Sequence, residues 1–122
     1  MNESEMRART KAFALRVLKL IEALPDTRSG RIVANQLGRS GTSVGANYRA
    51  ACRAKSAADM IAKLSIVEEE ADESGFWLEL ISAIGLLPES KVAALCKEAG
   101  ELTAIMVASR QTMLRNNRKS KL

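Results

Sequence analysis

Glu68, Glu69, Glu70, Asp72 and Glu73 make the densest run of carboxylates in the chain. Carboxylates alone can hold Mg²⁺. On a helix these side chains point in several directions, with Glu69–Glu73, Glu68–Asp72 and Glu69–Asp72 as neighbours. The spacing favours a solvated or interface charge cluster over a metal site. The chain has no histidine. That excludes Ser-His-Asp and Cys-His nucleophiles, the Glu-x-x-His ligands of di-iron bundles, histidine-ligated haem and catalytic zinc. No Gly-x-x-x-x-Gly-Lys-Ser/Thr phosphate loop is present either. These absences point to a protein that is not an enzyme and carries no cofactor.

The basic residues offer a different chemistry. Between Thr27 and Ala58 there is no acid, but there are Arg28, Arg31, Arg39, Arg49, Arg53 and Lys55. At helical spacing Arg31, Asn35, Arg39, Thr42, Ala46, Arg49 and Arg53 share one stripe, opposite an apolar one. Guanidinium forks suit phosphate oxygens, so Arg31, Arg39, Arg49 and Arg53 are candidate contacts to RNA or DNA. The alternative is that they pair with the Glu68–Glu73 cluster of a neighbouring subunit. Arg110, Arg115, Arg118, Lys119 and Lys121 extend the candidate surface at the C-terminus. No aromatic residues interleave the basic stripe, which argues against single-strand stacking there.

Four helices must position these residues. The first is expected from Glu5 to Leu24, with Phe13, Val17, Leu20, Ile21 and Leu24 inward. Leu24-Pro25 ends it, and Asp26 is the expected cap of the next helix. The second runs from Thr27 to Arg53 with Val33, Leu37, Ser40, Val44, Tyr48 and Ala51 inward. Gly38, Gly41 and Gly45 cost that helix about 1 kcal/mol each against alanine, so they imply close approach by a neighbouring backbone. A break between Gly38 and Gly45 is the alternative. Ser56-Ala-Ala-Asp59 reads as a capping box for the third helix. Met60, Leu64, Val67, Ala71, Ser74, Leu78 and Ile81 then form a heptad seam. Gly85 ends it, and Pro88 opens the fourth helix, whose seam is Val92, Leu95, Ala99, Leu102, Met106, Ser109 and Met113. From about residue 115 to 122 a basic, mobile tail is expected, and residues 1–5 form a short polar start.

The 122 residues suffice for one domain, and 47% are hydrophobic but only 3% aromatic. An aliphatic core of this kind, with short connections, fits an all-α, antiparallel up-down-up-down four-helix bundle. There is no signal-peptide pattern and no apolar run long enough for a membrane, so the expected location is the cytoplasm. Cys52 and Cys96 read as ordinary reduced thiols. The third helix carries a second apolar stripe at Ala62, Ile66, Phe76, Trp77, Leu80 and Ile84. A stripe of this width points to subunit contact, with Phe76, Trp77 and Leu80 near the seam, the alternative being a broad core face. Gln36, Ser40, Ser43 and Asn47 line one edge of the second helix as a structural strip, with Glu70 or Glu73 as the expected acceptor for Asn47.

Leu24-Pro25, the run Gln36-Leu37-x-Arg39-Ser40-x-x-Ser43-Val44-x-Ala46-Asn47 and the acidic helix through Glu68–Ser74 resemble the "four helix bundle protein" family. Its founding members are encoded in the intervening sequences of bacterial 23S rRNA genes. The resemblance spans roughly Arg9 to Met113. Where the family has Asn-Ile-Ala-Glu-Gly, this chain has Asn47-Tyr48-Arg49-Ala50-Ala51, which predicts a longer and more basic second helix. The resemblance implies a ring-like homopentamer. A related branch of the family that this chain resembles, the accessory variability protein of diversity-generating retroelements, implies a nucleic-acid ligand and a reverse transcriptase or other protein as partner. The expected role is therefore a non-enzymatic oligomer that binds nucleic acid as an accessory factor, or else a protein-interaction scaffold.

Overall fold

The computed structural model describes residues 2–120. Four α-helices and no strand appear among them: α1 (Glu3–Ile21), α2 (Arg28–Cys52), α3 (Ala57–Ala83) and α4 (Glu89–Ser120). Each helix is started by its own sequence. Asn2 accepts from the Glu5 amide at 2.8 Å, and the Glu5 carboxylate accepts from Asn2 Nδ2 at 2.8 Å. Thr27, rather than the expected Asp26, caps α2 by accepting from the Gly30 amide at 3.1 Å. Asp26 instead accepts from the Arg31 guanidinium at 2.8 Å. Ser56 caps α3 through the Asp59 amide at 3.1 Å, as its spacing from Asp59 predicts.

Gly85 closes α3 at φ +75°, a conformation that costs glycine nothing. Its amide donates to the Ser82 carbonyl, and the Leu86 amide donates to the Ile81 carbonyl. Both bonds satisfy carbonyls that the end of the helix leaves open. α4 does not stop where its sequence turns polar. It continues through the asparagines and basic residues to Ser120, because Leu, Arg and Lys all favour helix.

The core is aliphatic. Phe13, Val17, Leu37, Val44, Leu64, Val67, Leu78, Ile81, Leu102 and Met106 are all essentially inaccessible to solvent. Burial of a Leu, Val or Phe side chain is worth roughly 1.5–3 kcal/mol, so this seam carries the fold. Met6 and Thr10 join it from α1; they precede the apolar repeat that marks that helix in sequence. Each helix packs on the next in chain order, while α1 touches α4 only lightly.

α2 is continuous through its glycines, as the helical spacing predicts, and the alternative of a break between Gly38 and Gly45 does not occur. A Cβ on Gly41 would sit 2.7 Å from Val17 Cγ1, and one on Gly45 would sit 3.3 Å from the Thr10 carbonyl oxygen. The absent side chains let α1 and α2 approach closely. Gly41 therefore lies opposite Val17 and Gly45 opposite Thr10, and the contacts run in reverse order along the two helices. In the α3/α4 pair Glu68 meets Arg110 and Gly75 faces Ala99, again in reverse order.

Candidate functional site

The arginine stripe on α2 divides once its neighbours are in place. Arg39 leans toward α3, where one guanidinium nitrogen donates to Glu70 at 2.8 Å and the other to Glu73. The carboxylates raise its pKa further, the hydrogen bond to Glu73 being the largest cause. Arg110 donates from Nε to Glu68 at 2.9 Å. These two arginines do pair with the acidic run, but with that of their own chain. Arg31 is held by Asp26 at the start of α2. Arg49 and Arg53 are exposed and have no carboxylate within ion-pair distance among the described residues; the same holds for Arg115, Arg118 and Lys119. Arg115 makes only a 3.4 Å contact with the Thr112 hydroxyl. Lys121 lies outside the described residues.

The acidic run divides in the same way. Glu68 serves α4, Glu70 and Glu73 serve α2, and Glu69 and Asp72 face solvent. Asn47 does not reach Glu70 or Glu73, which Arg39 occupies; its side-chain amide donates to the Ser43 carbonyl within α2 at 2.8 Å. Gln36 is exposed.

A groove between α1 and α4 is lined by Arg16, Lys19 and Lys91 with Leu20, Ala23 and Leu95; two more flank the bundle and differ in sign. One lies between α1 and α2, has a volume of about 570 Å³ and is rimmed by Arg7, Lys11 and Arg49 over a floor of Ala8, Gly45 and Ala46. No carboxylate lines it. Arg7 and Lys11 were not identified from the sequence, because α1 carries both acids and bases and its charged face depends on how it packs. The other groove lies between α3 and α4, measures about 360 Å³ and bears Asp72 and Glu79 beside Phe76 and Cys96. Burial, and then Glu79 and Glu89, push the Cys96 thiol above its ordinary pKa, which keeps it protonated and unreactive near neutrality.

On the outer face of α3, Ile66, Phe76 and Ile84 are exposed, Phe76 by 52%. Trp77 and Leu80 are half-buried. Phe76 and Trp77 meet edge to face with centroids 5.2 Å apart. The Trp77 indole N–H donates to Glu73 at 3.2 Å, so its polar edge is directed to the rim rather than into the core.

The sequence model of the 23S rRNA-intervening sequence proteins matches residues 2–108. The chain belongs to that family. A similar structure is the crystal structure of a protein with unknown function from the S23 ribosomal protein family of Bacteroides thetaiotaomicron. It shares 31% sequence identity, with a TM-score of 0.80 over 85% of this chain and 96% of that one. No curated protein matches the chain. Among the described residues of this family member, no helix is long and apolar enough to cross a membrane.

Proposed function

We propose that this chain is a non-catalytic bundle that self-associates and binds nucleic acid through its basic surface, as an accessory factor in a ribonucleoprotein. The observation that carries this reading is the sorting of its cations. Arg9, Arg39, Lys63 and Arg110 are neutralised within the chain, and Arg49, Arg53, Arg115, Arg118 and Lys119 are left facing solvent. A net charge of +5 is modest for one chain, but five copies in one assembly would build a strong field. An up-down-up-down antiparallel arrangement is supported by the reversed contact orders in the α1/α2 and α3/α4 pairs and by the short connections.

Helix faces of this kind carry no base code unless they enter a groove of the duplex, so the contacts are mainly to phosphate. Affinity should be weakly sequence-selective and fall steeply with salt. Gel shifts with RNA and DNA of several sequences across a salt series test this. The double variant Arg49→Glu, Arg53→Glu should lose binding while keeping its helicity and its size-exclusion volume. If it dissociates instead, these arginines close a subunit contact. Equal affinity for wild type and variant would remove nucleic acid from the reading.

A second reading, a homo-oligomeric scaffold for another protein, is favoured by the exposed apolar face of α3. A second copy of the chain suits this face. Ile66, Phe76 and Ile84 lie among Glu69, Asp72 and Glu73, whereas the outer face of α1 presents Leu15 and Leu18 among Lys11, Arg16 and Lys19. The two faces match in apolarity and oppose in charge, as a head-to-tail ring contact requires.

A further inference from the structure

We infer that the groove between α1 and α2 is a phosphate-binding site that seats a phosphodiester backbone. This rests on the nucleic-acid reading above and assigns that ligand a place. Three cations from two helices, Arg7, Lys11 and Arg49, converge on one concavity. None of them has an ion-pair partner among the described residues, and all three are exposed. The chain has carboxylates to spare for other bases on the same two helices. Arg9, two residues from Arg7, turns to the opposite flank of α1 and is held by Glu98 and Glu101. Arg39, on α2, is held by Glu70 and Glu73. The groove is thus a place where cations gather and carboxylates do not.

The floor suits the same ligand. Ala8, Gly45 and Ala46 present methyl groups and bare backbone, so a chain of phosphates can approach without displacing a side chain. A volume of about 570 Å³ lies within the usual range for small-ligand sites, roughly 300–1,000 Å³. Arginine offers paired N–H donors to phosphate oxygens and lysine a point charge, and three cations in one concavity suit a run of closely spaced anionic groups. The floor has no bulky apolar residue or aromatic ring to hold a base or a peptide side chain. The groove between α3 and α4, with Asp72 and Glu79, repels the same ligand, and the basic groove between α1 and α4 is smaller, at about 290 Å³, and is otherwise lined by Leu20, Ala23 and Leu95.

The test is fluorescence anisotropy of full-length protein with a labelled RNA 20-mer and a labelled DNA 20-mer. Arg7→Glu with Lys11→Glu should weaken binding by about tenfold or more and lower the salt slope by about 1 for each lost contact. Arg28→Glu with Lys97→Glu makes the same change in net charge at exposed positions outside the grooves and should leave affinity within about threefold. Ala46→Phe fills the groove without altering charge and should weaken binding too. It keeps the test valid if the charge reversal perturbs folding, which circular dichroism monitors. Inorganic pyrophosphate should compete, and polyglutamate of equal charge should compete poorly. If the groove variants bind as wild type while Arg53→Glu with Arg115→Glu, two exposed arginines outside the groove, does not, the groove assignment falls and the broader reading stands. If pyrophosphate binds in a manner sensitive to Arg7 and Lys11 but neither polynucleotide binds, the site stands and the nucleic-acid reading falls. Polyglutamate competing as well as RNA would overturn phosphate as the ligand.

Discussion

Ser74 donates a hydrogen bond to Ser40 across the α2/α3 seam, Oγ to Oγ at 3.0 Å, with both side chains fully buried. The Glu70 carbonyl lies 2.8 Å from Ser74 Oγ and the Leu37 carbonyl 3.4 Å from Ser40 Oγ. Either hydroxyl can thus turn to its own helix when the other is removed. Ser40→Ala alone should destabilise by about 1 kcal/mol, since a typical net hydrogen bond is worth about that much. The double variant Ser40→Ala, Ser74→Ala should cost clearly less than the sum of the singles. Urea unfolding of the four proteins measures this coupling. Strict additivity would show that the two hydroxyls do not act as a pair.

Gly41 and Val17 make a second coupled pair. Gly41→Ala places a methyl group against the Val17 side chain and should destabilise by about 1–3 kcal/mol through overpacking. Val17→Ala in the same chain opens the needed space. The double variant should therefore unfold at a higher temperature than additivity predicts. A gain in stability from Gly41→Ala alone, as helix propensity would give on an open surface, would contradict the close approach.

Glu98 gives the fold an acid-sensitive tie. Its hydrogen bonds from Arg9, at 2.7 and 2.8 Å, hold its pKa below the usual carboxylate value. A depressed folded-state pKa contributes stability that is complete above the unfolded value and disappears as pH falls through the folded one. The wild type should lose stability as pH drops below about 4.5, the ordinary glutamate value. Glu98→Gln should be less stable at pH 7 by about 1 kcal/mol and show a flatter acid limb. Thermal melts of both proteins between neutral and acid pH decide the matter, and parallel curves would remove the assignment.

Phe76→Asp tests self-association. The side chain is half exposed and packs edge-on against Trp77, so the change should cost the isolated bundle little. An added carboxylate beside Glu69, Asp72 and Glu73 should oppose docking of a second copy. Light scattering should show the wild type assembled at micromolar concentration and the variant shifted to smaller species. A wild-type monomer would end the oligomer reading.

The core was almost fully legible in the sequence. Every inward residue expected on α2, from Val33 to Ala51, is buried, and on α3 the heptad seam is buried from Leu64 to Ile81. Helical periodicity is a local property, so it survives without knowledge of the neighbours. The charged surface was less legible. Arg39 and Glu73 are 34 residues apart, and Arg110 and Glu68 are 42 apart. Whether a charge is spent inside the chain depends on how two distant helices are rotated, which spacing along one helix does not encode. Arg7 and Lys11 escaped notice for the same reason. The end of α4 escaped because polar composition was read as absence of structure, although its residues are good helix formers.

The light packing of α1 on α4 gives the bundle a place to come apart. α1 is held along one flank by close backbone contact with α2, and its lighter contact with α4 includes the tie from Arg9 to Glu98 and Glu101. The α1/α4 seam is then the lowest-energy opening of the native ensemble, and α3 with the flanks it shares is the last unit to exchange its amide protons. A ligand seated between α1 and α2 would reinforce the flank that is already closest and leave the α4 side as the place where α1 is freed first.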